Sequence, residues 1–248
     1  MTSDPLAPLL ELPGVADGVD AARSSVDTLL SNRTLRRRSA EVSTESSLRG
    51  AWASAALAGA EHPLDDVRSG RAAADPVVQG ALRAQSAIGV LADTWTRAPR
   101  QALARLHALA SADLVADRET LGRPAASVAV ATRLDTLANV LALTSAPAVV
   151  VAGIVHGELL SLDAFPPASG VVARVGVRLT LIERGLDPKS LVVVEAGHRE
   201  LRAEYDSALQ AYRTGSPEGI ARWLRHCADA VVAGALEATA ICEAMARG

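Results

Sequence analysis

Arg174 and Arg178 lie one helical turn apart, just after a Ser169-Gly170 pair that opens an apolar-periodic run, and this spacing suits the holding of an anion. Pro166 and Pro167 stiffen the approach, so the run from Val171 onward begins at a helix amino terminus. The first N–H groups of such a helix have no internal acceptor and sit at the positive end of its dipole, a natural place for a phosphate. Either arginine could face that anion. The plainer alternative is a capped helix whose arginines are satisfied by neighbouring acids.

Other chemistries find less support. No Cys/His spacing suits a metal, no G-x-S-x-G occurs, and spacing assembles no Ser/His/Asp triad. His107, His198 and His226 fall on amphipathic stretches and read as structural or surface histidines. Val149 to Gly157, with Leu179-Thr180-Leu181-Ile182-Glu183 downstream, superficially suggests a dinucleotide fold and a cofactor-dependent oxidoreductase. However, Gly153-Ile154-Val155-His156-Gly157 is not G-x-G-x-x-G, and no βαβ alternation surrounds it.

The chain of 248 residues has 25 basic side chains against 28 acidic ones, a net charge of −3 that argues against general nucleic-acid binding. Arg33, Arg36, Arg37 and Arg38 are the basic exception and read as a solvated helix face. Lys189 is the single lysine amid abundant alanine and valine, a sign of codon bias. Cys227 and Cys242 share the last helical stretch, too far apart to bridge, so reduced thiols and a cytoplasmic location are expected. The apolar run from Ala146 to Leu162 is broken by His156 and Glu158 and is too short to cross a bilayer. Nor does the amino terminus carry a basic region followed by an apolar signal core, so no membrane partner is expected.

The elements that must position the arginines read as helices throughout. Val19, Ala22, Val26, Leu29 and Leu30 recur at helical spacing, and a second stretch runs from Glu41 through Trp52 to Leu57. His62-Pro63 breaks the pattern before a short helix from Leu64 to Arg68, and Asp75-Pro76 opens one that reads on to Trp95. Ala98-Pro99 starts the next. The interval from Asp113 to Ser127, with Gly122 and Pro124 amid charges, reads as an exposed flap or short hairpin. Helices resume at Val128 to Leu143, Pro147 to Leu160 and Val171 to Arg184, the last ended by Gly185 and Pro188. Leu191 to Glu195 fits either a strand or a connector, and Ser216-Pro217 opens a long final helix. The expected class is all-α.

The segment Asp163-Ala164-Phe165-Pro166-Pro167-Ala168-Ser169-Gly170-Val171-Val172-Ala173-Arg174 resembles the signature H-x-F-x-[DE]-G-N-[GK]-R-x-x-R of the Fic (Fido) family. The similarity runs from about Trp95 to Ala244. His156 matches a histidine of the preceding helix, while His198-Arg199-Glu200, Tyr205-Asp206-Ser207-Ala208-Leu209, Gly215 and Trp223 follow the family's downstream pattern. The resemblance implies a Fic-like helical bundle over residues 95–245, preceded by a helical extension over 1–94. It also implies ATP as the ligand, and transfer of AMP to a protein hydroxyl as the ancestral activity.

Position by position, Phe165, Gly170 and Arg174 are retained. Asp163 stands where the family has its catalytic histidine, Pro167 where an acid holds Mg²⁺, Ala168 at the first glycine, Ser169 at the asparagine and Val171 at the first arginine. Loss of a general base typically costs about 10²- to 10⁴-fold, and an aspartate near pKa 3.9 is a poorer base than a histidine near about 6.5. Proline offers no carboxylate to a metal, so Mg²⁺ loses its ligand and phosphoryl chemistry its main charge neutraliser. Ser54-Ala55-Ala56-Leu57-Ala58-Gly59 resembles the family's inhibitory helix [ST]-x-x-x-E-[GN], with Ala58 at the glutamate and Glu61 one turn away. An alanine-rich packing helix explains the same residues equally well.

The expectation is therefore a Fic-like binding or scaffold protein with a protein partner and a residual nucleotide or phosphate site at Ser169, Gly170 and Arg174. A divergent nucleotidyl transferase using Asp163 is the alternative.

Overall fold

The computed structural model describes residues 4–247 and, among them, twelve α-helices, two 3₁₀ turns and no strand. The helices are α1 (Val15–Leu30), α2 (Leu35–Leu57), α3 (Leu64–Ser69), α4 (Pro76–Ser86), α5 (Ile88–Arg97), α6 (Pro99–Ser111), α7 (Val128–Leu143), α8 (Ala148–Ser161), α9 (Ser169–Glu183), α10 (Val194–Glu200), α11 (Arg202–Arg213) and α12 (Pro217–Arg247). The stretch Val149 to Gly157 lies within α8, which removes the strand that a dinucleotide fold would need.

The centre is the pair α8 and α9, joined by the Asp163–Ala168 connection and packed along each other. Every residue of α9 from Val171 to Leu181 is buried, so this stretch is apolar all round except for its two arginines and Thr180, whose hydroxyl donates to the Gly176 carbonyl at 2.8 Å. On one side α4, α5 and α6 close over it through Ala84, Leu91, Trp95, Leu103 and Leu106. On the other, the 31-residue α12 runs beside α1, α10 and α11, burying Val26, Leu29, Val231 and Ile241. Ser216 caps α12 by accepting the Gly219 N–H at 3.1 Å, as its place before Pro217 predicts. Cys227 and Cys242 are buried free thiols.

The amino-terminal helices pack directly on this body. α2 touches α4, α9, α10 and α12, and its anchor is a buried polar centre. There Arg178 of α9, 1 % exposed, donates to Ser190 Oγ at 3.0 Å, to Gln85 Oε1 at 3.1 Å and to the Ser46 carbonyl at 3.4 Å. Glu195 lies 3.6 Å from it and takes a hydrogen bond from Gln85. Gly50 makes room for this centre, because a Cβ there would stand 2.7 Å from Arg178 Nη1.

Two elements differ from the sequence expectation. The helix read from Asp75 to Trp95 breaks at Ala87 into α4 and α5, which lets Ile88, Leu91 and Trp95 turn into the core. No hairpin forms between Asp113 and Ser127. Asp117 instead caps a 3₁₀ turn at Arg118–Thr120, and the segment's later backbone bonds to the loop before α9, Ala125 N–H donating to the Ala164 carbonyl at 2.9 Å. Leu191 to Val193 is a buried connector, neither helix nor strand, its Val193 N–H bonded to the Gly234 carbonyl at 3.1 Å.

Candidate functional site

The connection between α8 and α9 is wound tightly by its own hydrogen bonds. Asp163 takes a left-handed conformation with φ 43° and lies exposed, its N–H given to the Leu160 carbonyl. Phe165 is buried. Its N–H donates to Ser169 Oγ at 2.8 Å, and its carbonyl accepts the Ala168 N–H at 3.0 Å. The Ser169 hydroxyl is thus turned back to shape the loop, while Pro166 and Pro167 face solvent. Val171 packs into the core, where an apolar side chain fits and a cation would not.

The two arginines, indistinguishable by local spacing, have separate fates. Arg178 is consumed by the Glu195 centre. Arg174 points back toward the amino terminus of α9, as helical side chains do, so that its Nη1 and Nη2 lie 3.0 and 3.2 Å from where a Gly170 Cβ would be. It is buried, and Nε donates to Ser54 Oγ at 2.9 Å while Nη2 donates to the Ser54 carbonyl at 2.9 Å. Nη1 reaches Tyr205 Oη at 3.5 Å, and no carboxylate pairs with it among the described residues. No side chain caps α9. Gly170 and Arg174 are therefore together, while the Ser169 hydroxyl is taken up by the Phe165 N–H.

Behind Arg174 lies a cluster of rings that residue-by-residue reading missed. Tyr205 Oη and His156 Nε2 are 2.8 Å apart; His198 Nδ1 and His226 Nε2 are 3.0 Å apart. The His156 and His198 rings meet edge to face at 4.7 Å, with Trp223 packed on both His156 and Tyr205. Burial, reinforced by the Arg174 charge, holds His156 well below the usual histidine range; burial and its histidine neighbours do the same for His198. Burial also pulls His226 down to about 4 and pushes the Tyr205 hydroxyl up. Each of these residues looks ordinary on its own helix; the usable signal was that a chain with two tyrosines and five histidines gathers most of them in its second half.

The overall fold has known counterparts. A Fic family protein from Desulfovibrio desulfuricans G20 superposes with a TM-score of 0.71 at 18% identity, over 91% of this chain and 74% of that one. The fold is that of the Fic family. Fic-1 from C. elegans matches equally well, with a TM-score of 0.71 at 18% identity, over 94% of this chain and 75% of that one. No family profile and no curated protein matches by sequence.

Within this Fic-like frame, the segment that resembles an inhibitory helix is the end of α2 that holds Arg174. Contact comes through Ser54, whereas Ala58 is exposed at the helix end. Glu61 is turned away and pairs with Arg202 at 3.2 Å. Among the described residues, no group of three or more His, Cys, Asp or Glu is placed to hold a metal, and no helix is long and apolar enough to cross a membrane.

Proposed function

We propose that this protein is a degenerate Fic-like binding or scaffold module that holds a phosphate-bearing ligand, with ATP the first candidate, at Gly170 and Arg174. One observation carries the reading: the Arg174 guanidinium is buried beside the positive end of α9, and no acid offsets it. A buried cation is costly unless paired, and the start of a helix disfavours it further. Three of the five guanidinium N–H groups are engaged, which leaves two for an acceptor beside the free first turn.

Chemistry is weakly provided for. Asp163 is the acid that stands at the family's catalytic position, and Pro167 gives Mg²⁺ no carboxylate. The expected activity is binding without AMP transfer.

Thermal melting and titration calorimetry with ATP, with and without Mg²⁺, test this. A ligand at a hundred times its Kd stabilises by about 2.7 kcal/mol, which for a chain of this length is a rise of roughly 5–10 °C. The rise should survive removal of Mg²⁺ and vanish in Arg174→Met. Absence of heat and of any shift at millimolar ATP would overturn the proposal. Transfer of label from α-labelled ATP to protein would favour the nucleotidyl-transferase reading instead, and its loss in Asp163→Ala would assign the base.

A further inference from the structure

His107, on α6, stands between two segments that touch nothing else of that helix through polar side chains. Its Nε2 is 3.1 Å from the Pro166 carbonyl in the loop before α9, and its Nδ1 accepts the Gly122 N–H at 3.2 Å. A carbonyl only accepts and a backbone N–H only donates, so the ring must be neutral with its proton on Nε2. Protonated at both nitrogens, it has no lone pair left for Gly122. The ring is 1 % exposed and lies 5.5 Å from the Phe165 ring.

We propose that His107 is a protonation-sensitive latch, which in its neutral form fastens the 113–127 segment to the loop before α9 and on protonation releases the Gly122 turn. The latch stands whether or not Arg174 holds a phosphate. Two further features give release a consequence. Among the described residues, one backbone hydrogen bond joins the two segments directly, from the Ala125 N–H to the Ala164 carbonyl, one residue from Phe165. Gly122 and Pro124 also wall a cleft of about 220 Å³ that reaches Phe165 between Arg100, Leu103 and Leu134. Loosening Gly122 therefore opens a path to the apolar anchor of the loop.

Charged neighbours do not set this group. Burial lowers its proton affinity and the Pro166 carbonyl raises it, with no ionic contribution. Of the elements packed on α6, α4 has Arg83 paired with Asp113, α9 has Arg174 held by Ser54, and α7 has Asp135 held by Arg100. Asp93 and Arg97 of α5, with Arg123 and Asp163 of the two latched segments, are exposed. A histidine whose folded affinity is depressed gives stability that is complete above the unfolded value near about 6.5 and is lost as pH falls below it. The latch should hold at neutral pH and weaken in mild acid.

Amide hydrogen exchange resolved by NMR on the full chain tests this, with rates corrected for the intrinsic effect of pH. In the unmodified protein, protection of Gly122 should fall with pH below about 6.5 before that of Val175, at the centre of α9, changes. His107→Gln keeps a donor for Pro166 but offers Gly122 nothing, and should speed Gly122 exchange about tenfold at pH 7.5 and remove its acid dependence. His107→Asn places an oxygen near Nδ1 and should retain Gly122 protection without the acid dependence. Equal Gly122 protection in the unmodified and Gln proteins would overturn the proposal. So would ring ¹⁵N shifts showing the Nδ1–H tautomer, a measurement that needs no variant to fold.

Discussion

Gly50→Ala should destabilise the protein, although in most helix interiors the same change stabilises. Position 50 lies in the second half of α2, where replacing glycine by alanine ordinarily gains about 0.5–1 kcal/mol. Against that stands the space the methyl would enter: its carbon falls 2.7 Å from Arg178 Nη1, 3.0 Å from Glu195 Oε2 and 3.1 Å from Gln85 Nε2. None of these can easily move. Arg178 is tied through Nε to Ser190, Gln85 is bonded to both charged partners, and Glu195 is fully buried. Overpacking costs typically about 1–3 kcal/mol, and each buried hydrogen bond broken by a shift adds about 1–3 kcal/mol. The net loss should be about 2 kcal/mol, or roughly 4–8 °C in melting temperature. Urea unfolding with an unchanged slope measures it. Gly89→Ala is the control, since a methyl there meets nothing within 4 Å, and it should be neutral or slightly stabilising. If Gly50→Ala follows Gly89→Ala, the buried centre is more compliant than argued and helix propensity decides.

The buried histidines make stability acid-sensitive. Between about pH 6.5 and the folded value of about 4 for His226, the unfolded chain binds more protons than the folded one, so stability is full above about 6.5 and falls toward pH 4. That group alone accounts for a loss on the order of 3 kcal/mol, with His156 and His198 acting in the same direction. Urea midpoints between pH 8 and pH 5 should fall accordingly and fall less steeply in His226→Gln; a flat profile would contradict the burial argument. Asp163→Gly should stabilise by several tenths of a kcal/mol to about 1 kcal/mol, because an exposed residue at φ 43° gains from losing its Cβ. Chemical denaturation reads that change, and a loss of stability would mean the aspartate makes a contact that holds the loop.

What the sequence made legible follows from the range of the forces. The start of α12 at Pro217 and the end of α9 before Gly185 are decided by capping and backbone chemistry within a few residues, and both lie where the pattern puts them. The break at Ala87 carries no glycine or proline and is decided by where Leu91 and Trp95 find a core. Arg174 and Arg178 repeat the problem at the site. Their local contexts are alike, and the partners that separate them come from other elements: Ser54 of α2 holds Arg174 without an acid, while Glu195 of α10, with Gln85 of α4, gives Arg178 one. His107 is the same case, since the two atoms that fix its tautomer come from Gly122 and Pro166.

Why Arg174 stays folded inward without a counter-ion has a physical answer that bears on the ligand. Ser54 belongs to the last turn of α2, so its carbonyl is part of the negative end of that helix, while Gly170 marks the positive end of α9. Arg174 lies where these two ends meet. The end of α2 contributes about 0.3–1 kcal/mol to holding a cation, with the Ser54 hydroxyl bond added. A charge-assisted, two-pronged bond to phosphate is roughly twice as strong per bond as a neutral one, and it satisfies the α9 terminus as well. The present arrangement is thus the weaker of two ways to neutralise the same guanidinium. On the proposed reading, a phosphate at Gly170 would compete with the end of α2 for Arg174, and its binding would be coupled through Ser54 to the seating of the amino-terminal helices.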